Sequence, residues 1–195
     1  MYKRQLPQIL KLDIGGNPHS WITYEQSAYY YAKELVAWSM GEVDVTLHGG
    51  TNAVSGRQST LTMNTIIAVR GKMSDKQQAA ARRVPLTNKT LFRRDRNLCA
   101  YCGNMFTSSI LTRDHIIPSS RGGANSWTNC VTSCASCNKY KDNRTPEEAH
   151  MHLLYVPYAP NKAELLILHN HKILADQMDF LMARVTEHSR LREAA

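Results

Sequence analysis

Apolar positions along the chain fall into two kinds of run. Short stretches at Ile9-Leu10, His19-Trp21-Ile22, Val43-Val45-Leu47 and Ile66-Ile67-Ala68-Val69 alternate or cluster over a few residues, as strands do. Gly15-Gly16-Asn17-Pro18 between the first two reads as a turn. Between the second and third strands, Thr23 followed by Gln26 forms a capping box. Ala28, Tyr31, Ala32, Leu35 and Val36 then recur at three- and four-residue steps, which predicts a helix. Lys72 to Arg83 is polar and alanine-rich, a linker or an exposed helix, and a short basic helix is expected over about Asn88 to Arg96.

Further on, Leu111-Thr112-Arg113-Asp114-His115-Ile116-Ile117-Pro118 alternates as a strand does. A loop through Arg121-Gly122-Gly123 then leads to a short apolar stretch, Cys130-Val131, and a turn into a helix that starts near Cys134. Thr145-Pro146-Glu147-Glu148 combines an N-cap, a proline at the first helical position and a reciprocal glutamate, and Asn161 with Glu164 repeats the device. Leu174, Met178, Leu181 and Val185 step along one face of a last helix, a stripe suited to packing. The fold class is α+β. The expected layout is an N-terminal α+β domain at 1–72, a linker at 73–88, a core at 89–150 and a C-terminal helical extension at 151–195.

Composition narrows the function. Twenty-four Lys+Arg against 16 Asp+Glu give a net charge of +8, which favours a polyanionic partner such as nucleic acid. The charge is uneven. Residues 89–144 carry nine basic and three acidic side chains, whereas 145–195 carry five and seven. No run reaches the roughly 18 apolar residues of a membrane span, and the basic start at Met1-Tyr2-Lys3-Arg4 lacks an apolar stretch behind it. A cytoplasmic protein with no membrane partner is therefore expected.

All five cysteines, Cys99, Cys102, Cys130, Cys134 and Cys137, fall within one stretch of the chain. Cys99/Cys102 and Cys134/Cys137 are two Cys-x-x-Cys knuckles, the spacing of four thiolates around one tetrahedral zinc. The 31 residues between the pairs exceed those of an ordinary zinc ribbon, so the site closes around an inserted element. Cys130 is left over and reads as a small buried apolar residue. A redox pair is disfavoured, because thioredoxin-type motifs come singly in a βαβ pattern that this region lacks. A zinc-dependent nucleobase deaminase is excluded, because no His-x-Glu or Cys-x-Glu triplet occurs in the chain.

Between the knuckles, the residues that carry chemistry are Asp114-His115, Asn129 and, just after the second pair, Asn138. Each has an ordinary explanation alone, as an ion-pair partner, an interior histidine, or a turn or cap residue. Together with Arg94-Asp95, Cys99-Ala100-Tyr101-Cys102-Gly103, Asp114-His115-Ile116-Ile117-Pro118, Ser120-Arg121-Gly122-Gly123, Trp127-Thr128-Asn129 and Cys134-Ala135-Ser136-Cys137-Asn138, they make Leu91 to about His150 resemble the HNH endonucleases of the ββα-metal (His-Me finger) class, in their zinc-bearing free-standing branch.

The resemblance implies a metal-dependent DNA endonuclease with a zinc-stapled ββα-metal core. His115 would be the general base and Asn129 would orient it by bridging backbone groups across the loop. Asp114 and Asn138 would hold one catalytic divalent ion, Mg²⁺ or Mn²⁺, since oxygen ligands with room for water suit those ions. The asparagine at 138, where the family's name expects histidine, makes this an H-N-N variant. Cys99, Cys102, Cys134 and Cys137 would hold a structural zinc, with no coordination position left for water. Double-stranded DNA is the expected partner, with Arg93, Arg94, Arg96, Arg113, Arg121, Lys139, Lys141 and Arg144 as candidate phosphate contacts. The alternative is a zinc-containing module that binds DNA without cutting it. His169-Asn170-His171 spells the family's initials in sequence, but the name describes dispersed residues and the triplet reads as surface polarity.

Overall fold

The computed structural model describes residues 7–71, 84–170 and 172–192, with residues 42–44 described by their backbone alone. The expected linker at 73–88 falls largely outside the described residues, as do His171 and the basic N-terminal start. The chain is mixed α and β, in two compact units: the described residues of 1–83 with Asn170–Arg184, and those of 84–169 with 185–195. Among the described residues no helix is long and apolar enough to cross a membrane.

The first unit is a four-stranded sheet of order β2-β1-β4-β3, formed by β1 (Ile9–Leu12), β2 (Pro18–Ile22), β3 (Val36–Thr51) and β4 (Gln58–Val69). Only β1 and β4 run parallel; the other neighbours are antiparallel. Helix α1 (Tyr24–Ala32) starts on the Thr23/Gln26 capping box, both halves of which form. It ends earlier than the apolar spacing predicts. Glu34 adopts a positive φ of 54° and Val36 opens β3, so Leu35 and Val36 lie outside the helix, Val36 in the sheet.

The α1 side packs Tyr24 against Ile9, Ile22, Met63 and Ile67. Strand β3 bulges at Gly41, where φ is 132° and an added Cβ would meet Thr65 Oγ1 at 2.2 Å, which excludes a side chain. Helix α5 (Ala175–Met182) fastens to this unit through buried polar bonds. The Gln177 amide donates to the carbonyls of Gln8 and Thr65, and the Thr65 hydroxyl donates to Asp176.

The second unit is built on the hairpin β5 (Leu111–His115) and β6 (Cys130–Cys134), paired from Leu111↔Cys134 to His115↔Cys130. Helix α2 (Asn88–Arg94), capped by Thr87 and Thr90, presses Leu91 and Phe92 on Leu111, Trp127 and Cys130. Helix α3 (Ala135–Lys141) follows β6 directly, with Cys134 as its N-cap. One expectation needs correction here. The capping box at Thr145 and Glu148 forms, but only one turn follows it: His150 adopts a positive φ of 53° and the chain leaves the helical path. Glu148 also turns outward to Arg121 at 2.6 Å. At the second box, Asn161 caps α4 (Lys162–His169), and the Glu164 side chain is buried and accepts from the Tyr158 hydroxyl.

Candidate active site and metal centre

The first knuckle is a tight turn after α2. Gly103, at φ 72°, sends its N–H back to the Cys99 carbonyl, and Cys99 N–H donates to Asn104 O. The turn docks on β6, where Ala100 N–H donates to Thr132 O at 2.8 Å. The second knuckle spans the strand-to-helix junction, where Cys137 N–H points at Cys134 Sγ. These two turns bring the sulfurs of Cys99, Cys102, Cys134 and Cys137 within 4.8 Å of one another. A tetrahedral zinc with bonds of about 2.3 Å separates its sulfurs by roughly 3.8 Å, so the cluster fits that ion. Burial raises the Cys99 pKa, but hydrogen bonds from the backbone of Cys102, Cys134 and Tyr101 outweigh it and bring the thiol down to about 7. Cys130 lies apart from the cluster, fully buried, its thiol facing Asn125.

Alternation along β5 sorts its side chains. Thr112 and Asp114 face α3, whereas Leu111 packs toward α2 and Arg113 reaches back to the Leu86 carbonyl before it. Asn138, on α3, donates to Thr112 Oγ1 at 2.9 Å, so it shares a face with Asp114. The Asp114 carboxylate, 5% exposed, meets other partners. Lys141 Nζ lies 3.0 Å from Oδ1, and the Tyr101 hydroxyl donates to Oδ2. Burial first, then the neighbouring Asp114 carboxylate, pushes the Tyr101 hydroxyl far above its ordinary pKa and keeps it a donor.

Two donors leave lone pairs on a carboxylate, which has about four acceptor directions, and Asn138 Oδ1 accepts no hydrogen bond among the described residues. This all-oxygen pair fits a hard divalent cation. The ammonium at 3.0 Å keeps such a site weak.

His115 ends β5 opposite Cys130 and is half-buried; its carbonyl accepts from Lys141 Nζ at 2.9 Å, and its imidazole makes no hydrogen bond among the described residues. Asn129 spans the loop beyond. Its Oδ1 accepts from Ile117 N–H, and its Nδ2 donates to the carbonyls of Ile117 and Ala124. The loop is drawn so tight that a Cβ on Gly123 would lie 1.8 Å from Ile117 O.

Residues 99–154 match the model of the HNH endonuclease family. No curated protein matches the chain. At the end of the matched segment, Leu154 N–H donates to Ala100 O and returns the chain to the first knuckle.

Two candidate DNA contacts are corrected by the HNH segment and its flank. Arg94 is 2% exposed: it chelates Asp95 and donates to the carbonyls of Trp127, Tyr158 and Cys130, while Asp95 in turn holds Thr132 N–H. Lys141 is 1% exposed, with its ammonium shared among Asp114 and the carbonyls of His115 and Arg144. Neither can reach a phosphate without leaving a buried partner unpaired.

Of the others, Arg93 holds the Leu168 carbonyl, Arg113 holds Asn125, Arg144 stacks on Tyr140, and Arg96 is half-buried in a left-handed turn. Arg121 and Lys139 are exposed. Sequence reasoning missed the roles of Tyr101 and Lys141. Nothing local in a Cys-x-x-Cys knuckle marks its tyrosine, and a lysine at the end of a basic helix resembles a surface cation.

Proposed function

We propose that this protein is a metal-dependent endonuclease that hydrolyses phosphodiester bonds in double-stranded DNA. What supports the reading is that one HNH-matching segment carries His115 at the end of β5, with no imidazole hydrogen bond among the described residues, the buried Asp114 carboxylate next to it in sequence, a loop tied by Asn129, and Asn138 on the same face as that carboxylate.

His115 would accept the proton of the attacking water as the oxygen–phosphorus bond forms and the bond to the leaving oxygen breaks. An imidazole ring nitrogen is a base suited to that proton transfer. Asn129 ties the backbone at Ile117, two residues beyond His115, and would in that way fix the chain that carries the imidazole. Asp114 and Asn138 would hold a Mg²⁺ or Mn²⁺ ion, which supplies positive charge to the phosphate and the leaving oxygen. The four-cysteine cluster would hold zinc and keep α3 on the hairpin. Arg121 and Lys139 offer salt-sensitive phosphate contacts that position DNA without reading its sequence.

The test is incubation of supercoiled plasmid with purified protein and Mg²⁺ or Mn²⁺, with and without EDTA, beside His115→Ala. Cleavage should require the added ion and fall by about 10²- to 10⁴-fold in the variant, with zinc content unchanged. Equal cutting by both proteins would refute the assigned base. DNA binding by the wild type with no cutting under any divalent ion would favour the non-catalytic module.

A further inference from the structure

We infer that Tyr101 is a positioning residue for the Asp114 carboxylate, so that the sulfur cluster controls the geometry of the proposed catalytic site as well as the fold around it. This rests on the nuclease reading above. Asp114 is fixed from two sides. Lys141 reaches Oδ1 from α3, and the Tyr101 hydroxyl reaches Oδ2 from the first knuckle.

Both donors are carried by elements that the cysteines tie together. Tyr101 sits between Cys99 and Cys102, and Lys141 lies one turn beyond Cys137 on the helix that Cys134 caps. The two donors differ in kind. The ammonium cancels the charge of the carboxylate, whereas the phenol is neutral and directs the group while leaving its charge for a cation. Partners of this sort, which orient a metal-binding carboxylate without touching the ion, govern affinity strongly: their loss costs about 10- to 100-fold. Tyr101 is half-buried and its hydroxyl is committed to Asp114, so it is not assigned as a phosphate contact.

The experiment uses the full-length zinc-loaded protein and Mn²⁺ alone as the probe. Free Mn²⁺ is followed by electron paramagnetic resonance without DNA, and the Mn²⁺ dependence of plasmid cleavage is measured in parallel. Tyr101→Phe should keep its zinc, weaken Mn²⁺ binding about 10- to 100-fold and raise the half-saturating Mn²⁺ for cleavage by the same factor, while Asp114→Asn abolishes both.

p-Aminophenylalanine at position 101 keeps a hydrogen-bond donor on the ring and should restore binding. This rescue also covers the case in which Tyr101→Phe folds poorly. Mn²⁺ binding by Tyr101→Phe equal to that of an active wild type would overturn the inference and leave the nuclease reading standing, as would failure of the rescue. A wild type that neither binds Mn²⁺ nor cuts would remove both.

Discussion

Lys141 brings an ammonium group to a place where water scarcely reaches, and its value there depends on what it faces. Asp114 lies 3.0 Å away, and both side chains are nearly inaccessible. A buried pair of this kind adds little net stability over an apolar replacement of both members, yet removal of one member strands the other. Lys141→Met is therefore expected to destabilise the protein by about 3 to 5 kcal/mol in urea denaturation, and Lys141→Met combined with Asp114→Leu should recover much of the loss. Arg121→Ala should leave the midpoint where it was, because the Arg121–Glu148 pair is half exposed on both sides. An equal effect from the two single variants would contradict this assignment. These residues also show what the sequence holds and what it does not. Residue type marked His115, Asn129 and the four cysteines as chemically apt, since each supplies a specific donor or acceptor. Burial and partner are properties of the folded chain, so in sequence Arg94 and Lys141 resemble phosphate contacts, whereas in the fold both are enclosed by backbone carbonyls.

At the scale of elements, the hairpin β5-β6, the first knuckle and α3 are short pieces with little apolar area of their own, and the cysteines lie where the three meet. Binding of a structural zinc is worth roughly 10 to 16 kcal/mol in small zinc peptides at neutral pH, comparable to a whole domain's stability. Extraction of the metal with a strong chelator should therefore melt amide protection in β5, β6 and α3, while β1 and β4, which have a separate apolar core, retain theirs. Hydrogen exchange read by mass spectrometry checks this, and protection of β5 and β6 that survives zinc removal would refute the clamp. Local signals served elements well where they were self-sufficient, as at Thr23 and Gln26, whose box and helix both form. They failed where tertiary partners compete. The Thr145 box starts a turn that Arg121 and the left-handed His150 do not allow to continue.

At the scale of the molecule, the chain leaves the second unit after α4, adds α5 to the first unit, and comes back with Val185 buried and Arg190 over the Tyr155 ring. No local pattern announces such a return. The apolar stripe of α5 was legible as a packing face, but the Gln177 contacts to Gln8 and Thr65 join residues more than a hundred positions apart. The two-knuckle spacing was legible because two Cys-x-x-Cys turns suit tetrahedral coordination, and the four sulfurs do lie within 4.8 Å of one another. That centre can be tested in one measurement: anomalous diffraction from crystals of the protein bound to duplex DNA and soaked in Mn²⁺. The account predicts a zinc peak about 2.3 Å from each of the sulfurs of Cys99, Cys102, Cys134 and Cys137, and a manganese peak on Asp114 and Asn138 with the His115 imidazole facing the scissile phosphate. Sulfurs joined in pairs with no metal, or manganese bound elsewhere while Asp114 remains closed off by Lys141, would contradict it.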